Sequence, residues 1–250
     1  MFQKERTDKI LSILKERGYV TVRALTEELR YSTATINRDL NLLTQRGEIR
    51  RSYGGVELAE PQELPVRYRY EQCKPIKKRI ARRAAALVED GDTLFMDGST
   101  TVQYMEEYLA EKKNLTVLTN NTALSSHLAE MGIRVIVLGG EILEPPYMLG
   151  GNDTVATAAR YKADKCFFST AFVSREGEMS YTGDIYYAMH RTMMNHSNLV
   201  CYLVDGEKVD RPGARVILGD FSPVDRVVSD FCFPEETKER FPTTVFDCVD

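Results

Sequence analysis

The chain has 250 residues, 43% of them hydrophobic and 28% charged, with a formal net charge of −4 at pH 7. This length suffices for one large domain or two smaller ones, each with a hydrophobic core. No apolar run approaches the roughly 18–20 residues that cross a bilayer, and the charged start MFQKERTDK lacks the apolar region of a signal peptide, so we expect a cytoplasmic protein without a membrane span.

The charge is unevenly distributed along the chain. Residues 1–57 contain 11 Lys and Arg against 8 Asp and Glu, a net +3, whereas the remaining residues contain 22 against 29, a net −7. A basic module joined to an acidic body is typical of a DNA-binding domain carried by a larger sensor. Many domains that do not bind DNA also have a net charge of +3. The arrangement of residues within the segment therefore has to decide whether it binds DNA.

Residues 1–57 have the pattern of three helices followed by a β-hairpin. Apolar residues at helical spacing predict a first helix from Gln3 to Arg17, and Thr21 can cap a second one. Gly54 and Gly55, a turn pair that tolerates positive φ, lie between two short strand patterns. This order of elements predicts a mainly α, winged helix-turn-helix domain.

The segment 32–43, STATINRDLNLL, predicts the third helix, capped by Ser32 or Thr33. Its apolar residues share one face, and the opposite face carries hydroxyl, amide and guanidinium groups that suit the major groove of DNA. We predict that this helix reads bases and that the wing contacts phosphates. The candidate DNA-binding residues are Ser32, Thr33, Thr35, Asn37, Arg38, Arg50 and Arg51. Spacing alone also allows a small helical bundle with a charged surface and no ligand.

Three prolines and the absence of an apolar period identify residues 58–75 as a linker. The run KPIKKRIARRAAALVEDG then predicts an amphipathic helix, with Ile76, Ile80, Ala84 and Leu87 on its apolar face. In this interpretation its cations lie on the other face, where they are either solvated or available to DNA or to an anionic ligand.

From Asp92 onwards, short apolar strands alternate with helical segments, which predicts an open, mainly parallel α/β sheet in a second domain, residues 76–250. Ligands of such sheets bind at the carboxyl ends of the strands, where small and polar residues stand here. The candidate effector-binding residues are Asp97, Gly98, Ser99, Thr100 and Thr101, which can cradle a phosphate, with Asn120, Gly139, Gly140, Asp205 and Lys208. Each motif alone is also explained by an ordinary capped turn or glycine loop.

The five cysteines, Cys73, Cys166, Cys201, Cys232 and Cys248, are odd in number and widely spaced. Neither a CxxC motif nor a cluster of His and Cys is present in the sequence, so we predict reduced thiols and no metal or other cofactor. Cys166 and Cys201 lie within apolar strand patterns, where we expect them to pack in the core.

Thr35-Ile36-Asn37-Arg38-Asp39-Leu40 in the third helix, and Arg50, Arg51, Gly54 and Gly55 in the wing, resemble the motifs of the DeoR family of bacterial transcriptional regulators. The resemblance continues from about Lys74 to about Val228. It implies a sensor domain related to ribose-5-phosphate isomerase, and an effector that is usually a phosphorylated sugar or a sugar metabolite. Carried over by position, the family's phosphate loop falls on residues 97–101, its strand-end asparagine on Asn120, its glycine pair on Gly139 and Gly140, and its late Asp and Lys on Asp205 and Lys208.

Three positions depart from the family pattern. Asn37 stands where arginine is common, and an amide favours adenine over guanine where it reaches a base. The loop reads DGSTT, whereas the family more often has a serine before the glycine, and His190 stands where lysine is frequent. These departures leave the operator and the identity of the effector open.

Together these observations predict a ligand-responsive transcriptional regulator of carbohydrate metabolism, most consistent with a repressor, that binds double-stranded operator DNA as a homo-oligomer, a dimer or tetramer. Two alternatives remain: a sugar-phosphate isomerase-like enzyme, and a DNA-binding protein whose second domain only oligomerises. Isomerisation requires a carboxylate base, but the predicted strand 164–173 exits through Ser169 and Thr170, and the nearest carboxylate is Glu176. We therefore expect no enzymatic activity.

Overall fold

The computed structural model describes residues 3–17, 19–52, 55–59, 66–144 and 147–249. The chain divides into two compact units, Met1–Tyr68 and Arg69–Asp250, and this division falls within the predicted linker. Gly18 and Gly54, the predicted helix stop and turn residue, lie outside the described ranges. Within those ranges, no helix combines the length and the apolar character needed to cross a membrane.

The first unit contains α1 (Gln3–Arg17), β1 (Tyr19–Thr21), α2 (Val22–Leu29), α3 (Thr33–Gln45), β2 (Ile49–Ser52) and β3 (Gly55–Leu58). The strands form an antiparallel sheet in the order β1-β3-β2. Hydroxyl caps begin two helices: Thr21 accepts a hydrogen bond from the backbone N–H of Ala24 at 3.1 Å, and Ser32 accepts one from that of Thr35 at 3.2 Å. The predicted winged helix-turn-helix is confirmed.

The core of the first unit is formed by the apolar faces of its three helices. Its fully buried members on the helices are Ile10, Leu14, Leu25, Ile36, Leu40 and Leu43. Burying each such side chain stabilises the fold by roughly 1.5–3 kcal/mol. The residues whose spacing predicts the helices therefore also hold the polar face of α3 at the surface.

The helix α4 (Val66–Glu71) spans the division between the units, and α5 (Lys74–Ala85) follows it. The remaining elements are β4 (Thr93–Met96), α6 (Thr100–Gln103), β5 (Thr116–Thr119), α7 (Thr122–Glu130), β6 (Arg134–Val137), β7 (Glu141–Glu144), β8 (Met148–Gly150), α8 (Asn152–Ala158), β9 (Ala163–Phe168), β10 (Phe172–Val173), β11 (Met179–Tyr181), α9 (Tyr187–Asn195), β12 (Ser197–Val204), β13 (Val216–Gly219), β14 (Arg226–Ser229), α10 (Glu235–Arg240) and β15 (Val245–Cys248). Short 3₁₀ turns, Tyr104–Tyr108 and Gly206–Lys208, follow α6 and β12.

Seven strands form the main sheet in the order β15-β14-β12-β9-β4-β5-β6, and every pair of neighbours is parallel. Successive side chains of β4 point to opposite faces, so that Phe95 packs in one buried cluster and Leu94 and Met96 in another. Both faces are covered, and the carboxyl ends of the strands stand at one edge. The predicted open, mainly parallel α/β sheet is confirmed.

The strands differ from the prediction in number and extent. The sequence patterns indicate six strands, the last over residues 226–233, whereas the sheet has a seventh strand, β15. The predicted strand 164–173 is interrupted after Phe168. Thr170 Oγ1 donates to the carbonyl of Phe172 at 2.8 Å, which closes a local turn, and β10 then pairs with β11 in a separate antiparallel sheet that includes β13. The β7–β8 hairpin is a further element outside the prediction.

Cys232 and Cys248 form a disulfide with Cα atoms 5.4 Å apart, so the prediction of five reduced thiols is wrong for this pair. The sheet brings the two together, because β14 and β15 are parallel neighbours and Ser229 pairs with Cys248. Cys166 and Cys201 are buried in the core, as predicted.

Candidate functional site

The exposed face of α3 carries most of the predicted base-reading residues. Thr33 and Arg38 are exposed, and Asn37 is half-buried beside them. Asn41, one helical turn after Asn37, is also exposed. These hydroxyl, amide and guanidinium groups form one polar stripe opposite the buried apolar face of the helix.

Ser32 and Thr35 take part in the cap of α3. Ser32 Oγ lies 2.9 Å from Thr35 Oγ1 and also accepts from the backbone N–H of Thr35. Both hydroxyls therefore have a structural role at the start of the helix, next to the predicted DNA contact.

The two wing arginines have different partners. Arg50 Nε donates to Glu57 Oε1 at 2.9 Å, within the hairpin. Arg51 reaches across to α3, where Nη1 donates to Asn37 Oδ1 at 3.1 Å and Nη2 donates to Asn41 Oδ1 at 2.8 Å. Arg51, predicted as a phosphate contact, thus touches the face of α3 that is predicted to read bases.

A buried ion pair holds α3 against α1. Arg6 is 9% exposed and Asp39 is 0% exposed. Arg6 donates through Nη2 to Asp39 Oδ1 at 3.0 Å and through Nε to Oδ2, and its guanidinium lies 4.7 Å from the centre of the Tyr31 ring. Sequence analysis missed this pair because Asp39 lies in a polar helix pattern and its partner is 33 residues away.

Arg38→Ala should lower the affinity for operator DNA by about 1 kcal/mol or more, because the reading face loses a charge-assisted contact. Gel-shift titrations and footprinting of parent and variant would measure the change. Arg160→Ala is a control with the same change of charge, since Arg160 is exposed just after α8. An unchanged footprint for Arg38→Ala would show that α3 is not the reading helix.

The sheet brings the other predicted residues to one edge. The strands β12, β9, β4 and β5 are consecutive neighbours and all end there. The structure places at this edge Asp97, Gly98, Ser99, Thr100 and Thr101 after β4, Asn120 after β5, Ser169 and Thr170 after β9, and Asp205 and Lys208 after β12. In the described part of the chain, no group of three or more His, Cys, Asp or Glu residues is arranged to hold a metal ion.

Asp97 is the buried centre of this edge. Its Oδ1 accepts from the backbone N–H and the hydroxyl of Ser99 at 3.0 and 2.6 Å, and its Oδ2 accepts from the backbone N–H of Ser169 at 3.0 Å. His190 Nε2 donates to Oδ2 at 3.1 Å, and its Nδ1 is hydrogen-bonded to the hydroxyl of Tyr181. Four donors occupy the Asp97 carboxylate, which therefore organises the loop around it.

Lys77 also lies at this edge, so the prediction that the cations of α5 lie opposite its buried face is wrong for this residue. Its side chain is 3% exposed, and Nζ donates to Thr100 Oγ1 at 3.0 Å and to the carbonyl of Arg69. Burial and the nearby charge of Lys208 lower the pKa of Lys77 to about 8. A buried cation thus stands beside the predicted phosphate loop.

Lys208 brings a second ammonium group to the same edge. Its Nζ donates to Ser169 Oγ and to the carbonyl of Thr170, each at 2.9 Å, and lies 4.0 Å from Asp205 Oδ2. The 3₁₀ turn after β12 positions the side chain, since the backbone N–H of Lys208 donates to the carbonyl of Asp205 at 3.0 Å. Two lysines and several hydroxyls therefore meet where the strands end.

Three buried side-chain atoms at this edge have no hydrogen-bond partner among the described residues: Thr101 Oγ1, Asn120 Oδ1 and Asp205 Oδ2. Each of these residues is at most 3% exposed. An unsatisfied buried polar group costs about 1–3 kcal/mol, so a group of them requires an explanation. A hydroxyl group both donates and accepts, so it suits each of the three atoms chemically.

The predicted glycines serve the packing of the chain on itself. Gly139 and Gly140 have φ of +72° and +105°, and a Cβ at Gly140 would lie 2.3 Å from the carbonyl oxygen of Gly150. A Cβ at Gly98 would lie 1.9 Å from Met148 Sδ. The close approach of the β8 backbone therefore requires glycine at position 140, whereas Gly98 is packed against the flexible Met148 side chain. A direct contact of these residues with an effector stays a prediction.

Two family models match the chain: residues 6–62 match a DeoR-like helix-turn-helix domain, and residues 73–231 match the DeoR C-terminal sensor domain. The glycerol-3-phosphate regulon repressor of Escherichia coli (strain K12) is 30% identical over 232 residues, 92% of each chain. The HTH-type transcriptional repressor GlcR of Bacillus subtilis (strain 168) is 32% identical over 180 residues, 71% of this chain and 69% of the relative. The lactose phosphotransferase system repressor of Staphylococcus aureus (strain N315) is 30% identical over 220 residues, 84% of this chain and 86% of the relative. A solved ribose 5-phosphate isomerase A from Methanocaldococcus jannaschii is 15% identical with a TM-score of 0.40 and 54% coverage of each chain.

Proposed function

Because the chain belongs to the DeoR family of transcriptional regulators, we propose that it is a cytoplasmic repressor of carbohydrate-metabolism genes whose operator binding is controlled by a phosphorylated sugar. The helix α3 reads the operator, and the effector binds at the carboxyl ends of β4, β5, β9 and β12. The pair of lysines at those strand ends, Lys77 and Lys208, is the observation that carries the choice of a phosphorylated ligand.

The lysine pair favours an anion for an electrostatic reason. The pKa of Lys77 is lowered because burial and the charge of Lys208 disfavour its ammonium form, and the nearby Asp205 only partly offsets them. A phosphate carries about two negative charges at pH 7 and offers several acceptor oxygens. It would relieve the repulsion between the two ammonium groups and accept from Thr100 as well.

The unsatisfied atoms at the same edge suit the sugar part of the effector. Asn120 Oδ1 and Asp205 Oδ2 are acceptors, and Thr101 Oγ1 either donates or accepts. A polyol offers hydroxyl donors to both acceptors, whereas the oxygens of a phosphate dianion only accept and would meet the Asp205 carboxylate with a charge of the same sign. This arrangement supports a sugar phosphate over a simple anion.

Binding of the effector would influence the DNA-binding unit through α4. The carbonyl of Arg69 accepts from Lys77 Nζ and, at 3.5 Å, from Thr100 Oγ1, and the carbonyl of Tyr70 accepts from the Tyr104 hydroxyl at 2.8 Å. Both carbonyls belong to the last turn of α4, which lies within the predicted linker, residues 58–75. A phosphate bound by Lys77 and Thr100 competes with the Arg69 carbonyl, so that the effector favours one arrangement of α4 over another, as a switch requires.

At least a dimer is expected in the DNA complex. One winged helix-turn-helix presents few base contacts, and tight specific binding in this class of fold uses two half-sites bound by two copies. A dimer or a tetramer would satisfy this requirement, and size-exclusion chromatography with light scattering on operator complexes would distinguish the two.

Catalysis is not expected at the strand ends. The strand β9 exits through the hydroxyls of Ser169 and Thr170, and Glu176 is exposed in the turn between β10 and β11. Four donors already occupy the carboxylate of Asp97, and Asp205 Oδ2 is buried 4.0 Å from Lys208 Nζ. A base for proton abstraction must instead be free to reach the substrate carbon. Turnover of ribose 5-phosphate by the purified protein would contradict this expectation.

A thermal-shift screen of phosphorylated sugars against the same sugars without phosphate tests the proposed function. A ligand at 100 times its Kd should stabilise the protein by about 2.7 kcal/mol, and only phosphorylated compounds should do so. The compound that shifts the melting temperature should then change the affinity for a duplex taken from upstream of the protein's own gene. If a sugar and its phosphate ester raised the melting temperature equally, the proposal that the effector is an anion would be contradicted.

Lys208→Ala and Thr100→Ala should leave operator affinity unchanged and abolish most of the response to the effector, because each removes a group that faces the phosphate while α3 is untouched. Gel-shift titrations with and without the effector would measure both quantities. Lys112→Ala is a matched control, since Lys112 Nζ donates to the carbonyl of Val88, away from the strand ends. If a variant responds to the effector as strongly as the parent, the substituted residue does not belong to the effector site.

A further inference from the structure

The guanidinium of Arg51 connects the wing to the base-reading face of α3. It donates to Asn37 Oδ1 at 3.1 Å, to the backbone carbonyl of Asn37 at 3.4 Å and to Asn41 Oδ1 at 2.8 Å. Arginine offers only donors. Both side-chain amides must therefore turn their oxygens towards Arg51, which fixes how their amino groups are oriented.

The orientation of the amides decides which groups remain for DNA. An asparagine free to rotate offers its oxygen and its amino group equally, and this pair matches the amino donor and N7 acceptor of adenine. In Asn37 and Asn41 the oxygens are occupied by a cation, whereas the amino groups are not committed to it. Arg38, next to Asn37 on the same exposed face, adds further donors. The cluster of Arg51, Asn37 and Asn41 with Arg38 thus presents a surface rich in donors.

A surface of donors discriminates between purines. Guanine presents two acceptors, N7 and O6, in the major groove, whereas adenine presents one acceptor and the N6 amino donor. The N6 amino group of adenine would have to share the Asn37 oxygen with the positive charge of Arg51, and the two donors repel each other. Guanine meets no such conflict. The expectation of adenine, which rests on asparagine alone, is therefore reversed when the arginine is included.

We infer that Arg51 is a specificity-determining residue, which orients Asn37 and Asn41 so that α3 selects guanine over adenine at the operator position they face. This inference rests on the proposed function, because it requires α3 to lie in the major groove. It assigns to Arg51 a positioning role that acts through the two asparagines, in addition to any contact with the DNA backbone.

Selection of binding sites from randomised duplexes by the full-length protein tests the inference. The parent should enrich guanine at one position in each half-site, and Arg51→Ala should move the preference at that position towards adenine. A good bidentate contact discriminates by about 5- to 150-fold, so a shift of fivefold or more is expected. Arg50→Ala is the matched control, because Arg50 pairs with Glu57 and leaves the amides alone. The Arg50→Ala variant should bind DNA more weakly and should still prefer guanine at that position.

Two further variants separate the role of the amides from a loss of folding. Asn37→Ala should abolish the preference between guanine and adenine at that position in both the parent and the Arg51→Ala background. Arg51→Met keeps the aliphatic stem of the side chain without the guanidinium, and it replaces Arg51→Ala if the latter loses its helical circular dichroism. Adenine enrichment by the parent, or unchanged guanine enrichment by the folded Arg51 variants, would overturn the inference. Failure of the parent to enrich any sequence would overturn the proposed function with it.

Discussion

Asp39→Ala is expected to destabilise the DNA-binding unit by roughly 3–5 kcal/mol, because it leaves the Arg6 guanidinium charged, buried and without its carboxylate. Arg6 is 9% exposed, so water does not easily replace the lost partner. Hydrogen exchange of backbone amides in α1 and α3 of the full-length protein would measure the effect as at least about 100-fold faster exchange. Operator binding should weaken in parallel, since the buried pair holds α3 against α1.

Glu28→Ala is the matched control for this experiment. Glu28 also pairs with an arginine of α1, Arg17, but these side chains are 37% and 49% exposed. Exposed pairs contribute about 0–1 kcal/mol, so exchange should change by less than about tenfold. Equal effects of the two substitutions would show that the burial of the Arg6–Asp39 pair is not what makes it important.

Lys77→Met is expected to weaken binding of the phosphorylated effector about 10- to 150-fold, because a charge-assisted hydrogen bond contributes about 1.5–3 kcal/mol. Methionine keeps the length and the apolar stem of the side chain, so that the fold around α5 is retained. Isothermal titration calorimetry would measure the loss. Lys78→Met is the control, since Lys78 is on the outer side of the same helix and pairs with Glu107 at 2.8 Å.

The pH dependence of effector affinity follows from the lowered pKa of Lys77. In the empty site Lys77 loses its proton above about pH 8, and a bound phosphate favours the charged form, so binding takes up a proton there. Affinity in the parent should therefore fall with rising pH above about 8, by up to tenfold per unit. Of the groups around Lys77, Lys208 and Arg69 are cations and Asp205 is an anion, while burial raises the pKa of the Cys73 thiol. Lys77→Met should lose this dependence, and a parent affinity that is constant from pH 7 to 9.5 would contradict the assignment.

The helices of the first unit could be predicted from the sequence, because the residues that begin, cap and end them are close together along the chain. The bounds of α1 and the caps by Thr21 and Ser32 depend on residues within one or two turns, and the structure confirms them. The buried Arg6–Asp39 pair and the contact of Arg51 with α3 join residues 33 and 14 positions apart. Spacing along one helix carries no information about either contact.

The candidate effector site could be predicted from the sequence only in part. The alternation of strands and helices predicts which loops meet at one edge, and Asp97, Thr100, Asn120, Asp205 and Lys208 do meet there. The contact of His190 with Asp97 spans 93 residues and that of Lys77 with Thr100 spans 23. A lysine in an amphipathic pattern is normally solvated, and its burial becomes visible only when the partner loop is placed.

The edge strand β15 is another element that the local sequence pattern does not predict. The strand β15, residues VFDC, has neither an apolar run nor a clear alternation, and it forms because β14 offers a parallel neighbour. The pairing of Cys232 with Cys248 depends on that strand, so a prediction without β15 also lacks the disulfide.

The Cys232–Cys248 disulfide closes a loop of the chain that contains α10 and β15. Closure of a loop of this size destabilises the unfolded chain by roughly 3 kcal/mol. Without the bond, β15 is retained by its main-chain pairing and by Asp247, whose oxygens accept from Arg83 at 3.1 Å and from Arg226 at 2.7 Å. The outer margin of the sheet is therefore held both by a covalent bond and by these non-covalent contacts.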